Sequence, residues 1–123
     1  MDVWILDDHD HPAIEIAQEL RNAGFRAVYH PVHSYDEALS VFINTWPTPR
    51  IMLLDLSLGT SGQEGRQLAE KITPCWTIII GHSSEPNQQG LFGPSVKHFI
   101  HKGEAQPSDY PAILHKILDD RAG

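Results

Sequence analysis

The sequence of 123 residues is poor in several features that mark particular classes of protein. It has a single cysteine, Cys75, so no disulfide can form within the chain and a reducing compartment fits best. No apolar stretch approaches the ~18 residues that a membrane-spanning helix needs. The segment Met1–Trp4 lacks the basic region of a signal peptide. We therefore expect a cytoplasmic protein without a membrane segment.

Positive charge is also scarce. Nine Lys and Arg residues against sixteen Asp and Glu residues give a net charge of −7. Because Lys and Arg supply the affinity for nucleic-acid phosphates, this balance argues against direct nucleic-acid binding and against attachment to an anionic membrane. No glycine-rich dinucleotide or nucleotide loop is present either, so a flavodoxin-like redox protein has little support.

Ordinary proportions of apolar (41%) and charged (20%) residues indicate one globular domain spanning 1–123. Segments with helical spacing separate five short apolar runs, although 85–94 is rich in proline and glycine and predicts only a short, poor helix. This alternation predicts an α/β fold, a doubly wound five-stranded parallel sheet of flavodoxin-like type. We choose the strand order 2-1-3-4-5, which places strands one and three side by side at the ligand-binding switch point. The predicted strands are Val3–Leu6, Ala27–Tyr29, Ile51–Leu54, Trp76–Ile80 and Val96–His101.

Charged side chains follow three of these runs. Asp7 and Asp8 come after the first strand, Asp55 after the third and Lys102 after the fifth. Turn chemistry explains an Asp-Asp pair alone, but parallel strands would bring all four side chains to one edge of the sheet. At ~4 Å and an effective dielectric constant of ~20, one pair of like charges costs about 4 kcal/mol. Such a cluster must protonate or bind a cation, and its hard oxygen ligands suit Mg²⁺.

Histidines near this cluster leave alternatives open. His9 and His11 could indicate a transition-metal site, although a solvated loop beside an acidic pocket is the simpler interpretation. His82 could lie over the mouth of the pocket, where it would assist or block water, or could be an exposed loop residue.

Three blocks of the sequence together resemble the signature of a known family. They are Val3–Asp8 (VWILDD), Met52–Leu58 (MLLDLSL) and His98–Gly103 (HFIHKG). In these blocks the chain resembles the receiver domains of two-component response regulators, and the resemblance extends over essentially its whole length.

The resemblance implies a role for each charged residue. Asp55 would be the phosphoacceptor for a partner histidine kinase. Asp8 and Asp55 would ligate Mg²⁺ directly, Asp7 would act mainly through water, and the backbone carbonyl of Ser57 would complete the protein ligands. Lys102 would pair with the phosphoryl group.

The resemblance also implies a switch, from which the sequence departs. Phe99 matches the aromatic residue that swings inward on activation in this family. Receivers carry Thr or Ser at the end of the fourth strand, and the usual spacing assigns that position to Ile80 or, shifted by one, to Gly81. Neither offers a hydroxyl, and Ser83 could do so only if its loop folds back. We therefore expect the chemistry to be kept and the switch to be altered.

Three functions remain open at this point. The first is a phosphorylatable signalling domain, not an ordinary enzyme, with a sensor histidine kinase or phosphotransfer protein as donor and an output domain or partner protein downstream. The second is a pseudo-receiver that binds proteins independently of phosphorylation. The third is a Mg²⁺-dependent phosphotransferase or phosphatase acting on small molecules. The sequence leaves the oligomeric state open, a homodimer included.

Overall fold

Five parallel strands form the centre of the molecule in a computed structural model that describes residues 2–58, 62–72 and 76–122. Their order in the sheet is β2-β1-β3-β4-β5, and every neighbouring pair is parallel. The predicted fold class and strand order are confirmed. The strands are β1 (Asp2–Asp7), β2 (Arg26–Pro31), β3 (Ile51–Leu54), β4 (Ile78–Ser83) and β5 (His98–His101).

Helices cover both faces of the sheet and bury two separate cores. Apolar side chains of α1 and α5 pack on one face, and those of α2, α3 and α4 pack on the other. All four residues of β3 are buried, as its unbroken apolar run predicts for a central parallel strand. The helices are α1 (Asp10–Asn22), α2 (Tyr35–Asn44), α3 (Glu64–Ile72), α4 (Gln88–Phe92) and α5 (Tyr110–Ala122).

Local signals set several helix ends. Ser34 is the N-cap of α2, and its side-chain oxygen accepts the Glu37 N–H at 3.1 Å. Gly24 follows the C-cap of α1 with φ of 98°, a left-handed conformation that favours glycine. A 3₁₀ turn, Pro107–Asp109, precedes α5.

The predicted end of β4 at Ile80 was wrong. The strand continues through three further residues, which pair in register with Phe99, Ile100 and His101 of β5. All three are buried despite their low hydrophobicity, and for that reason the sequence pattern did not reveal them. Tertiary pairing with β5 outweighs the local propensity of a Gly-His-Ser segment. The segment 85–94 forms a helix of only five residues, α4, as its composition predicts.

Trp46 and Trp76 lie at the opposite edge of the sheet from the strands' carboxyl ends. They precede β3 and β4, and their exposed fractions are 84% and 59%. Trp4, by contrast, is buried in β1. Cys75 lies outside the described residues. Within the described ranges, no helix is long and apolar enough to cross a membrane.

The first turn of α3 rests directly on the backbone after β3. Gly65 donates its N–H to the Leu56 carbonyl at 2.8 Å. A Cβ atom at this position would lie 2.1 Å from the Asp55 carbonyl oxygen and 2.7 Å from Leu56 Cα. Both neighbours are backbone atoms, so they cannot move aside as a flexible side chain would.

Gly65→Ala is therefore expected to destabilise the protein by about 1–3 kcal/mol, the usual range for overpacking. Intrinsic helix propensity alone predicts the opposite sign, because Ala is favoured over Gly in a helix by about 1 kcal/mol. The free energy of unfolding in urea decides between them. Gly103→Ala is the matched control, since its Cβ would meet only the His101 side chain, at 3.1 Å. Equal stabilities for the two variants would contradict the proposed close contact.

Candidate functional site

The carboxyl ends of two neighbouring strands, β1 and β3, and of β5 place the charged side chains together. Asp7 is the last residue of β1, and Asp55 follows β3 directly and donates its N–H to the Leu6 carbonyl at 3.1 Å. Lys102 follows β5 and donates its N–H to the Ser83 carbonyl at 3.0 Å. The sheet hydrogen bonds thus fix the backbone at each of these positions.

Lys102 joins two of the carboxylates. Its Nζ lies 2.7 Å from Asp7 Oδ2 and 3.5 Å from Asp55 Oδ1. Asp7 is completely buried, and its second oxygen, Oδ1, accepts the backbone N–H of His9 at 3.0 Å. Both oxygens of this buried carboxylate therefore have donors, as a buried charge requires.

A set of donor atoms that could hold a metal ion lies at the same edge. One atom each from Asp7, Asp8, His9 and Asp55 falls within 4.8 Å of all the others. Three of the four are carboxylate oxygens, the hard ligands that Mg²⁺ prefers. The fourth is a ring nitrogen of His9, a largely exposed side chain whose Nδ1 lies 2.6 Å from Asp8 Oδ1. The donor set present here fits a small divalent cation.

The buried carboxylates affect each other's ionisation. Burial, followed by the charge of Asp7, raises the pKa of Asp55 to about 7, and Lys102 opposes the shift only in part. For Asp7, burial also acts to raise the pKa, but the charge and hydrogen bond of Lys102 and the His9 N–H together hold it below its usual value. Asp7 is thus kept ionised, whereas Asp55 favours its protonated form. A cation bound beside Asp55 would displace that proton.

A pocket of about 490 Å³ opens over Asp55. Its lining includes Ser57, Ser83, Glu85 and Lys102. Ser83 is buried, and its Oγ accepts the Glu85 N–H at 3.1 Å. A hydroxyl therefore does lie at the pocket, and because β4 is longer than predicted, no folding back of a loop is needed to bring it there.

Ile80 occupies a different position. It is fully buried within the core formed with α1 and α5, where its register partners are Leu53 and His98. Leu53 lies two residues before Asp55 in the chain, so Ile80 stands below the edge at which the charged groups meet.

Gly81 pairs with Phe99 and makes room for its ring. A Cβ atom on Gly81 would lie 2.7 Å from Phe99 Cδ1 and 2.9 Å from Phe92 Cε2. The centroids of the two phenyl rings are 6.2 Å apart, and both rings lie on the face of the sheet that α4 covers. Phe99 is only partly buried.

His82 lies neither over the pocket mouth nor in an exposed loop, so both expectations for it were wrong. It is a completely buried residue of β4, and its Nε2 lies 2.6 Å from the hydroxyl of Tyr110 at the start of α5. Burial and then the charge of Lys102 lower the pKa of His82 to about 3, so the ring is neutral. The alternation of side chains along β4 points to this face, once the strand is known to include residue 82.

Neither a scan against protein families nor a search of curated proteins found a match. Solved structures do resemble the chain. A CheY-like response regulator receiver domain from Methanospirillum hungatei is 20% identical with a TM-score of 0.78, over 98% of this chain and 95% of that one. A two-component response regulator from Clostridium difficile is 15% identical with a TM-score of 0.79, over 100% and 99%.

A third structure was solved with ligands. The response regulator TrrA from Thermotoga maritima, in complex with Mg²⁺ and beryllofluoride, is 16% identical to this chain, with a TM-score of 0.72 over 96% of each chain. Similarity at this level of identity establishes the architecture. The chain has the fold of response regulator receiver domains.

Proposed function

We propose that this chain is a receiver domain in which Asp55 accepts a phosphoryl group in a Mg²⁺-dependent reaction and so switches protein–protein interactions. The observation that carries the proposal is the position of Lys102, whose Nζ reaches both Asp7 and Asp55 beside three clustered carboxylates. A lysine so placed stabilises negative charge that develops on a phosphoryl group bound to Asp55. Such a domain signals and is not an ordinary enzyme, although it assists its own phosphorylation.

The chemistry requires an ionised Asp55. One of its oxygens attacks phosphorus, a P–O bond forms, and the P–N bond of a donor phosphohistidine breaks. Asp7, Asp8, Asp55 and the backbone carbonyl of Ser57 would hold Mg²⁺, which neutralises charge on phosphoryl oxygens when bound. Asp55 favours a proton in the metal-free protein. A cation in this site would therefore also keep the attacking carboxylate of Asp55 ionised.

Ser83, rather than Ile80, is proposed to supply the switch hydroxyl. Its buried side chain lines the same pocket as Asp55 and Lys102. Phe99 and Gly81 lie beside it, two positions back along the strands, so a movement of Ser83 toward a phosphoryl group would change the space available to the Phe99 ring. The Glu85 N–H now bound to Ser83 Oγ would follow, which links the pocket to the start of the α4 segment.

A sensor histidine kinase or phosphotransfer protein would be the donor, acting in the cytoplasm, and an output domain or partner protein would receive the signal. The alternative is a pseudo-receiver that binds proteins without phosphorylation. The shortness of α4 favours it, because little secondary structure is then available to rearrange. Addition of beryllofluoride with Mg²⁺ separates the two, since only a phosphorylatable receiver should show NMR shift changes around Asp55.

Acetyl phosphate with Mg²⁺ should phosphorylate Asp55. Mass spectrometry of the intact protein is expected to show one labile phosphoryl adduct, absent without Mg²⁺ and absent from Asp55→Asn. Asp119→Asn, which removes an exposed carboxylate of α5, is the control and should be phosphorylated normally. An adduct of equal yield on Asp55→Asn would exclude Asp55 as the phosphoacceptor.

Asp55→Asn should also stabilise the metal-free protein, and more at pH 8 than at pH 5. The pKa of Asp55 is raised from 3.8 to about 7 in the folded state, so its favourable contribution is complete below pH 3.8 and is lost as the pH rises through about 7. Three pKa units correspond to at most about 4 kcal/mol. Urea unfolding at both pH values measures the effect, and a gain that is larger at pH 5 would contradict it. Saturating Mg²⁺ should stabilise the wild type more than the variant.

Ser83→Ala should weaken the conformational switch and leave the phosphorylation of Asp55 unchanged. With the hydroxyl gone, beryllofluoride is expected to perturb the pocket but to shift the Phe99 resonances less than in the wild type. A charge-assisted hydrogen bond contributes about 1.5–3 kcal/mol, enough to change a two-state equilibrium tenfold or more. Ile80→Thr is the matched comparison and should not enlarge the response, because residue 80 lies in the core. The assignment fails if Ile80→Thr enlarges the Phe99 shifts and Ser83→Ala leaves them intact.

A further inference from the structure

A pair of buried polar side chains lies behind the candidate site, on the opposite face of the sheet from the pocket. His82 and Tyr110 are 0% and 1% exposed, and their rings meet edge to face with centroids 5.4 Å apart. Successive residues of β4 point to opposite faces, so Ser83 reaches the pocket while His82 reaches the core beneath α5. A short hydrogen bond, Nε2 to hydroxyl at 2.6 Å, joins the pair.

The second ring nitrogen of His82 determines which atom carries the hydrogen. Nδ1 is buried, has no hydrogen-bond partner among the described residues, and lies 4.0 Å from Asp7 Oδ2. If Nε2 donated to Tyr110, a bare lone pair on Nδ1 would face a carboxylate oxygen, which is repulsive. If Tyr110 donates its O–H to Nε2, Nδ1 carries the hydrogen near the negatively charged Asp7 oxygen, which is attractive. The second arrangement is the favourable one.

Asp7 Oδ2 thus has two side-chain nitrogens near it, at different distances. Lys102 Nζ donates a hydrogen bond to Asp7 Oδ2 at 2.7 Å. His82 Nδ1 lies 4.0 Å from the same oxygen, beyond hydrogen-bond length. Lys102 is also 3.5 Å from Asp55, toward which a phosphoryl group would draw it. A buried carboxylate oxygen that loses its lysine needs another donor or a bound cation, or else it carries an unpaired charge. Among the described residues, His82 Nδ1 is a buried ring nitrogen within 4.0 Å of that oxygen and has no hydrogen-bond partner.

We propose that His82 is a positioning residue for Asp7: when Lys102 turns toward Asp55, the His82 Nδ1–H replaces it on Asp7 Oδ2, and Tyr110 transmits the movement to the start of α5. This donor exchange rests on the proposed phosphorylation of Asp55 for its trigger. It gives the site a second connection, on the α5 face, independent of Ser83 and Phe99. No proton leaves any group; one hydrogen bond replaces another.

The exchange can be tested without phosphorylation, because Lys102→Met removes the lysine's hydrogen bond and keeps most of its length as an unbranched apolar side chain. Nitrogen-15 NMR of the imidazole in the wild type should show the hydrogen on Nδ1. In Lys102→Met the Nδ1–H resonance should shift as it closes on Asp7, and the Tyr110 ring resonances should shift with it. A hydrogen found on Nε2 in the wild type, or ring nitrogens unchanged in Lys102→Met, would overturn the proposal.

Tyr110→Phe tests the second half of the connection, since it removes one oxygen and leaves the ring that fills the core. Because Asp7 sets the tautomer, the hydrogen should stay on Nδ1 in this variant. Beryllofluoride-induced shifts in the first turn of α5 should be largely lost, while those at Ser83 and Phe99 persist. Tyr35→Phe, which removes a hydroxyl from the start of α2 on the other face of the sheet, is the control and should alter neither the His82 ring resonances nor the α5 shifts. Unaltered α5 shifts in Tyr110→Phe would overturn transmission through Tyr110.

The outcomes also separate this proposal from the function on which it rests. A His82 response in Lys102→Met, with no adduct on Asp55 from acetyl phosphate, supports the donor exchange and overturns the proposed phosphorylation. An adduct on Asp55, with His82 unresponsive in Lys102→Met, supports phosphorylation and overturns the donor exchange.

Discussion

The site depends on how the charge of three carboxylates is balanced at one edge of a parallel sheet. Asp7 has no access to solvent, and it is kept ionised by Lys102 on one oxygen and the His9 N–H on the other. The same lysine cannot fully neutralise Asp55 as well, so that carboxylate favours a proton. The burial of two apolar cores holds these mutually repelling carboxylates together. The negative charge that Lys102 does not neutralise favours the binding of a cation.

The architecture and the carboxylate cluster could be predicted from the sequence because both depend on local patterns. Short apolar runs alternate with helical spacing, and in a parallel sheet the residue after each run belongs to the same edge. Asp7, Asp55 and Lys102 follow such runs and do meet. Predicting that these residues meet requires only the order of the strands in the sheet, and no information about side-chain packing.

Ser83 and His82 could not be placed in this way. Whether β4 stops at Ile80 or continues to Ser83 is decided by pairing with β5, which is distant in sequence. Counting back from Lys102 assumes a helix of ordinary length between the two strands, and α4 has only five residues. The burial of His82 depends on Tyr110, nearly thirty residues later. Gly81, His82 and Ser83 at the end of β4 thus alternate between the two faces of the sheet. Their polar composition gave no sign that they belong to the strand.

The tryptophans have a practical consequence for anyone who follows this protein by optical spectroscopy. Trp46 and Trp76 stand in solvent at the amino edge of the sheet, with the whole length of the strands between them and the charged groups, while Trp4 is enclosed between His30 and Phe42. Intrinsic emission will therefore be dominated by indoles that are insensitive to events around Asp55. A reporter introduced at exposed Ser84 or Glu85, beside the pocket, would sense what the native fluorophores do not.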